Sequence, residues 1–268
     1  MKQEYQYIES GIRDYIGVSF SDIEYKELLK NEVKNKLLDT SQIKEMLSIF
    51  NALKSETGFE TSETLLMDIQ ALENQNVDVQ NFRIGEALVE VCLEKNFNCR
   101  FYWNELRDAR NPKGNKTGAD LVGFIEIKNE ILFLFGEVKT SSERKSPPQV
   151  MTNPTGIENQ LSDLYRYQNK RLILISYIQN KISLSNNFFK KDFDNAIRSY
   201  YQSNGSKYLL YGVLVRDTGV NKDDIKKSYD KLKEQILDQI GLRLLAIYVS
   251  IPIDSWLKII NGEDNVSY

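Results

Sequence analysis

The sequence predicts an α/β protein, with a mixed five-stranded sheet flanked by helices and a helical N-terminal region ahead of it. Three observations predict this. Residues 118–139 read as two apolar strands folded back on each other at Lys128-Asn129. From residue 189 onward, helix-length and strand-length apolar segments alternate. The first eighty residues mostly carry helical apolar spacing. The expected division is 1–80 for the helical region, a candidate docking surface for another protein, and 81–268 for the sheet domain.

Composition narrows the chemistry. The chain has 268 residues, 41% of them hydrophobic, and should bury an ordinary core. It contains no histidine, which excludes imidazole as base, nucleophile or metal ligand. Acid–base work falls to carboxylates, lysine or metal-bound water. Cys92 and Cys99 lack zinc-site spacing. With no signal peptide and no apolar run of membrane length, they indicate a reducing, cytoplasmic setting and no membrane partner. A net charge of −3 argues against coating nucleic acid through a broad basic surface.

In chain order, the segment through Val18 is open between strand and helix. Residues 21–37 (Ile23, Leu28, Leu29, Val33, Leu37) and 41–54 (Ile43, Met46, Leu47, Phe50, Leu53) have helical spacing, with Asp39-Thr40-Ser41 as turn and cap. Their lysines, Lys30, Lys34 and Lys36 among them, are interspersed with acids, which suits a protein contact better than phosphate tracking. Thr61 to Leu72 reads as a further helix. Residues 82–97 form a helix in which Glu86 lies within an apolar stripe. An acid there needs a lysine, an arginine or a metal as partner, unless it sits exposed at the stripe's edge. Cys99 to Trp103 is the first strand. Arg107, Arg110, Lys113 and Lys116 follow in a polar loop leading into the hairpin, and Arg144-Lys145 follow it. Each basic patch reads either as a DNA contact or as a solvated loop.

The hairpin has apolar residues on both faces, so it should be covered on both sides. Thr155 to Asn169 is a helix carrying Gln160, and Arg171 to Gln179 is apolar without an assignment. Phe189 to Gln202 is helical, Tyr208 to Val215 a strand, Lys222 to Ile240 a helix, Leu242 to Ile251 a strand, and Asp254 to Ile260 a short helix.

The open end of the hairpin carries the chemistry. With Lys128-Asn129 as the turn, Asp120 lies across from Glu137; with Asn129-Glu130, it lies across from Lys139. Alternation places Asp120, Glu137 and Lys139 on one face and Val138 on the other. Two carboxylates held this close repel and call for a cation, and Mg²⁺ suits an oxygen-only set completed by water and phosphate. Lys139 would then orient or deprotonate the attacking water, or neutralise charge on phosphate. The competing reading is an Asp120–Lys139 salt bridge with Glu137 solvated at a strand end.

Glu86 on a helix, a strand, Gly118-Ala119-Asp120, a hairpin, Glu137-Val138-Lys139 and a helix with Gln160 together resemble the PD-(D/E)xK nuclease superfamily over about residues 80–170. The resemblance implies a restriction-endonuclease-like core. It also implies Glu86, Asp120, Glu137 and the Val138 carbonyl as ligands of Mg²⁺ or Mn²⁺, and Lys139 as the residue assisting water. RecB-like members carry Tyr four residues after the helix Gln, whereas here Leu164 holds that place and Tyr165 follows. More narrowly, the helical N-terminal region, the Gly136-to-Glu143 wording and the length look like the HamA nucleases of the Hachiman anti-phage system. That likeness implies a helicase partner, which restrains a nuclease of low sequence preference until it meets aberrant DNA. Two other readings stand beside it: a site-specific restriction endonuclease, and a silent binding subunit that keeps the fold as scaffold.

Overall fold

A computed structural model describes residues 1–56, 60–102, 118–182 and 187–263. Seven strands form one sheet among the described residues: β1 (Lys2–Ser10), β2 (Arg13–Ser19), β3 (Cys99–Arg100), β4 (Leu121–Ile127), β5 (Glu130–Ser141), β6 (Tyr208–Arg216) and β7 (Gly241–Tyr248). Their order is β1-β2-β7-β6-β5-β4-β3. The four central strands, β2, β7, β6 and β5, run parallel, and an antiparallel strand or pair of strands flanks each end.

The expectation of five strands behind a helical N-terminus is therefore corrected. All five expected strands are present, and the opening residues supply two more. β2 pairs in parallel with β7 from Arg13↔Leu242 to Ser19↔Tyr248. β1 covers that edge with an almost wholly solvated strand rich in charged and polar residues, a composition that discourages further pairing. Arg13, 2% exposed, anchors the hairpin by donating to the carbonyls of Ile236 at 2.6 Å and Ile240 at 3.1 Å. Apolar periodicity could not report this, because the anchor is a buried cation.

Helices do occupy the next stretch. α1 (Asp22–Leu28), a π turn (Leu29–Val33) and α2 (Lys34–Leu38) run on from one another and bury Tyr25, Leu28, Leu29, Val33 and Leu37. Ile23, expected on that stripe, is 73% exposed. α3 (Thr40–Ser55) and α4 (Glu63–Glu73) follow; α3 buries no residue and α4 only Ile69. Next come α5 (Asn81–Asn96), α6 (Gln149–Thr152), α7 (Ile157–Arg166), α8 (Gln168–Ile182), α9 (Asn187–Gln202), α10 (Asp223–Gln235) and α11 (Trp256–Ile260). The unassigned 171–179 segment is thus the middle of a helix.

The sheet is covered on both sides, as the two apolar faces of the hairpin require. Leu121, Ile125, Leu132 and Leu134 share one core with Ile84 and Leu88 of α5 and Trp256 of α11. Val122, Phe124, Phe133 and Phe135 share the other with residues of α7, α8, α9 and α10. The hairpin turns at Lys128-Asn129, both with positive φ (50° and 64°), the two-residue turn that matches strand twist. Its register runs Leu121↔Gly136 to Ile127↔Glu130, the first of the two registers considered.

Among the described residues, no helix is long and apolar enough to cross a membrane.

Candidate functional site

The site forms where the hairpin's two strands end unequally. β4 pairing stops at Leu121↔Gly136, while β5 continues along β6 to Ser141↔Arg216. From Glu137 onward one edge of β5 therefore has no backbone partner in β4. Asp120 closes the first gap, accepting a hydrogen bond from the Val138 N–H at 3.1 Å. It replaces a missing ladder carbonyl and is held at the level of Glu137 by doing so.

Elements on both faces converge on this open edge. On one face Gly85 lets the α5 backbone approach Thr140 of β5, where a Cβ would run into the Thr140 side chain. This close approach brings Glu86 alongside β5. On the other face, Ile157 and Leu161 of α7 pack over Gly212, the register partner of Glu137, and bring Gln160 near. Glu86, Asp120, Glu137, Val138 and Lys139 thus line a single cleft of about 450 Å³, together with Phe82, Arg83, Gly118, Thr140, Thr155 and Gln160.

Glu137 is 5% exposed. Burial, and then the charge of Asp120, raise its pKa above the ordinary carboxylate value, against the pull of Lys139. Lys139 donates to Glu137 Oε1 and lies 4.0 Å from Asp120 Oδ2. Burial alone would lower the pKa of its ammonium, but the charges of Glu137, Asp120 and Glu86 outweigh that and raise it. The competing salt-bridge reading is met only in part: the lysine's nearer partner is Glu137, which is buried and not solvated at a strand end.

Glu86 has the partner its buried position demanded. Arg83, 3% exposed, donates from Nη1 to Glu86 Oε2 at 2.8 Å, and its guanidinium lies 5.0 Å from the Phe82 ring centre. Reading for a stripe acid passed over Arg83, although its i, i+3 spacing from Glu86 was the available signal.

The donor set suits a hard divalent cation, since Asp120 and Glu137 offer only oxygen and no sulfur or imidazole competes. Among the described residues, no three acidic or cysteine side chains converge closely enough to hold an ion.

Arg144 and Lys145 are exposed in the loop after β5 and do not line the cleft. Arg107, Arg110, Lys113 and Lys116 lie outside the described residues, as does Trp103 at the end of the first expected strand. Lys36, one of the expected docking lysines, is paired within the chain, 2.9 Å from Glu90 and 3.2 Å from Glu94.

Fold and cleft together define an α/β protein with a two-carboxylate, one-lysine cluster at the open end of its central hairpin. The HamA family model matches residues 12–262, nearly the whole chain, and the chain belongs to that family. Membership suggests a role in anti-phage defence. No curated protein and no solved structure matches the chain.

Proposed function

We propose that this protein is a metal-dependent DNA nuclease that hydrolyses phosphodiesters with low sequence preference, as the effector of a helicase-coupled anti-phage complex. The observation that carries this reading is the open edge of β5. There Asp120 caps Val138, and Glu137 and Lys139 lie within the same cleft.

Asp120 and Glu137 would hold Mg²⁺ or Mn²⁺. The Val138 carbonyl, on the same side of the strand as its N–H, would face the same ion, and Glu86 would join on release from Arg83. The bound ion would polarise the phosphate and lower the pKa of a coordinated water. Lys139 supplies a positive charge beside the two acids, where charge develops on the phosphate as water attacks. Glu86 adds negative charge from the α5 side, and Gln160 offers an amide from α7.

Family membership supports the defence setting, and a cytoplasmic location follows from that setting. The helicase partner fits α3 and α4, whose apolar residues Met46, Ile49, Leu66 and Met67 are exposed. Arg107, Arg110, Lys113, Lys116, Arg144 and Lys145 would contact the DNA backbone.

The test is plasmid cleavage by the chain, alone and with its proposed helicase partner, in Mg²⁺, Mn²⁺ or EDTA. Cleavage should require metal and disappear in Lys139→Ala, while DNA binding persists, because a contact made mainly in the transition state shows in turnover. Full activity of Lys139→Ala would remove the lysine from the reaction. Cleavage that survives EDTA would remove the metal.

A further inference from the structure

Beside the cleft is a second pocket of about 330 Å³, walled by Ala119, Leu164, Ile173 and Leu174. Gly118 and Gln160 line both spaces, so the two are contiguous. We propose that this pocket receives the base of a nucleotide next to the scissile phosphate, and that the enzyme therefore prefers unpaired DNA strands. The proposal rests on the nuclease reading and deepens it by naming the form of the substrate.

The chemistry of the walls fits a base better than another phosphate. Leu164 and Leu174 are buried, so the inner wall is apolar, whereas Ile173 is 66% exposed at the rim beside Leu172 at 51%. A base laid against this rim would cover apolar surface that now meets water. Gln160 carries both a donor and an acceptor, so it can meet the edge of any base without selecting one. This agrees with low sequence preference.

Lys170 completes the polar part of the lining. Its Nζ lies 2.8 Å from Asp163 Oδ2 and 5.4 Å from the Tyr167 ring centre, with 45% of the side chain exposed. Such a partly exposed ammonium suits the phosphate on the far side of the same nucleotide, although Asp163 tempers its charge.

Connectivity supplies the selectivity. A base adjoining the scissile phosphate must lie close to the cleft, and the contiguous pocket is the adjoining apolar space. Within a duplex that base is stacked on both faces and paired along its edge, so it enters a side pocket only after leaving the helix. In an unpaired strand the cost is smaller, and the pocket favours that strand.

The test is binding of the full chain to a short fluorescent DNA strand and to the corresponding duplex, measured by anisotropy in EDTA, where metal-dependent cleavage cannot consume the probe. Ile173 is the position to vary, because its exposure lets the fold tolerate change. The wild type should bind the single strand about tenfold more tightly than the duplex, Ile173→Glu should lose about that factor, and Ile173→Trp should gain affinity by adding a stacking face. Duplex affinity should stay the same in both variants. Equal wild-type affinity for the two probes would overturn the proposal, as would Ile173 variants that leave single-strand binding unchanged or shift both probes in parallel. Failure of the nuclease reading shows separately, as no cleavage of either probe when Mg²⁺ or Mn²⁺ is added with the helicase present.

Discussion

Asp120 accepts a hydrogen bond from the backbone N–H of Val138 at 3.1 Å, tying the residue before β4 to the residue between Glu137 and Lys139 on β5. The bond fixes the separation of two acids from opposite strands by satisfying an edge N–H that β4 leaves unpaired. Geometry at the cleft therefore depends on how β5 is held from its other side, where it pairs with β6.

That dependence is tested at Gly136. A Cβ at this position would run into the backbone carbonyl oxygen of Tyr211 on β6, which cannot swing aside as a side chain can. Gly136→Ala should force the strands apart next to Glu137 and destabilise the fold by about 1–3 kcal/mol. Urea unfolding reads the loss, and an unchanged midpoint would show that the strands separate at little cost.

The loop carrying Arg144 and Lys145 is anchored through a buried pair. Arg216, 1% exposed, pairs with the fully buried Asp224 and also donates to the Glu143 carbonyl; Asp224 further accepts from Tyr248 at 3.0 Å. Asp224→Asn leaves the guanidinium without its counter-charge and should cost about 3–5 kcal/mol. Denaturant titration measures this. A loss below about 1 kcal/mol would mean that the pair behaves like a solvated one.

Burial pushes the thiols of Cys92 and Cys99 up to about 12. Both should be neutral thiols at about pH 8 and unreactive toward a thiol reagent in the native protein, since the thiolate is the nucleophile. Both should label on denaturation. Rapid labelling of either cysteine in the folded protein would contradict the burial of α5 against the sheet.

Under the proposed metal role Arg83 would set a condition on loading, because it holds Glu86, the carboxylate that would join Asp120 and Glu137. Arg83→Met should lower stability without metal by about 3–5 kcal/mol, as removal of one member of a buried pair does. Mn²⁺ should then raise the melting temperature more in this variant than in the wild type, because Glu86 no longer has to be drawn from a guanidinium. Equal rises in the two proteins would show that Glu86 does not approach the ion.

Much of this architecture was legible because it rests on short-range rules. Alternation sufficed to place Asp120, Glu137 and Lys139 on one face, the structure selects the first of the two registers left open, and the two apolar hairpin faces correctly implied cover on both sides. The segment through Val18 stayed open between strand and helix because the parallel pairing of β2 with β7 joins residues more than two hundred positions apart, and because Arg13 anchors the hairpin with a buried cation. Arg83 was missed for a related reason. A cation inside an apolar face looks misplaced in sequence until its i, i+3 spacing from Glu86 is taken as the sign of a pair. Leu172 and Ile173 left 171–179 unassigned because they are apolar residues on the exposed side of α8, which blurs the helical period.

The central claim is that Asp120 and Glu137 jointly hold a divalent ion, and melting temperature with and without Mn²⁺ tests it most directly. An ion bound by the folded state alone at a hundredfold excess over its Kd stabilises by about 2.7 kcal/mol, a rise of roughly 5–10 °C for a chain of this size. The wild type should show that rise, and Asp120→Asn and Glu137→Gln should each lose it. An equal rise in all three proteins would place the ion elsewhere and contradict the account.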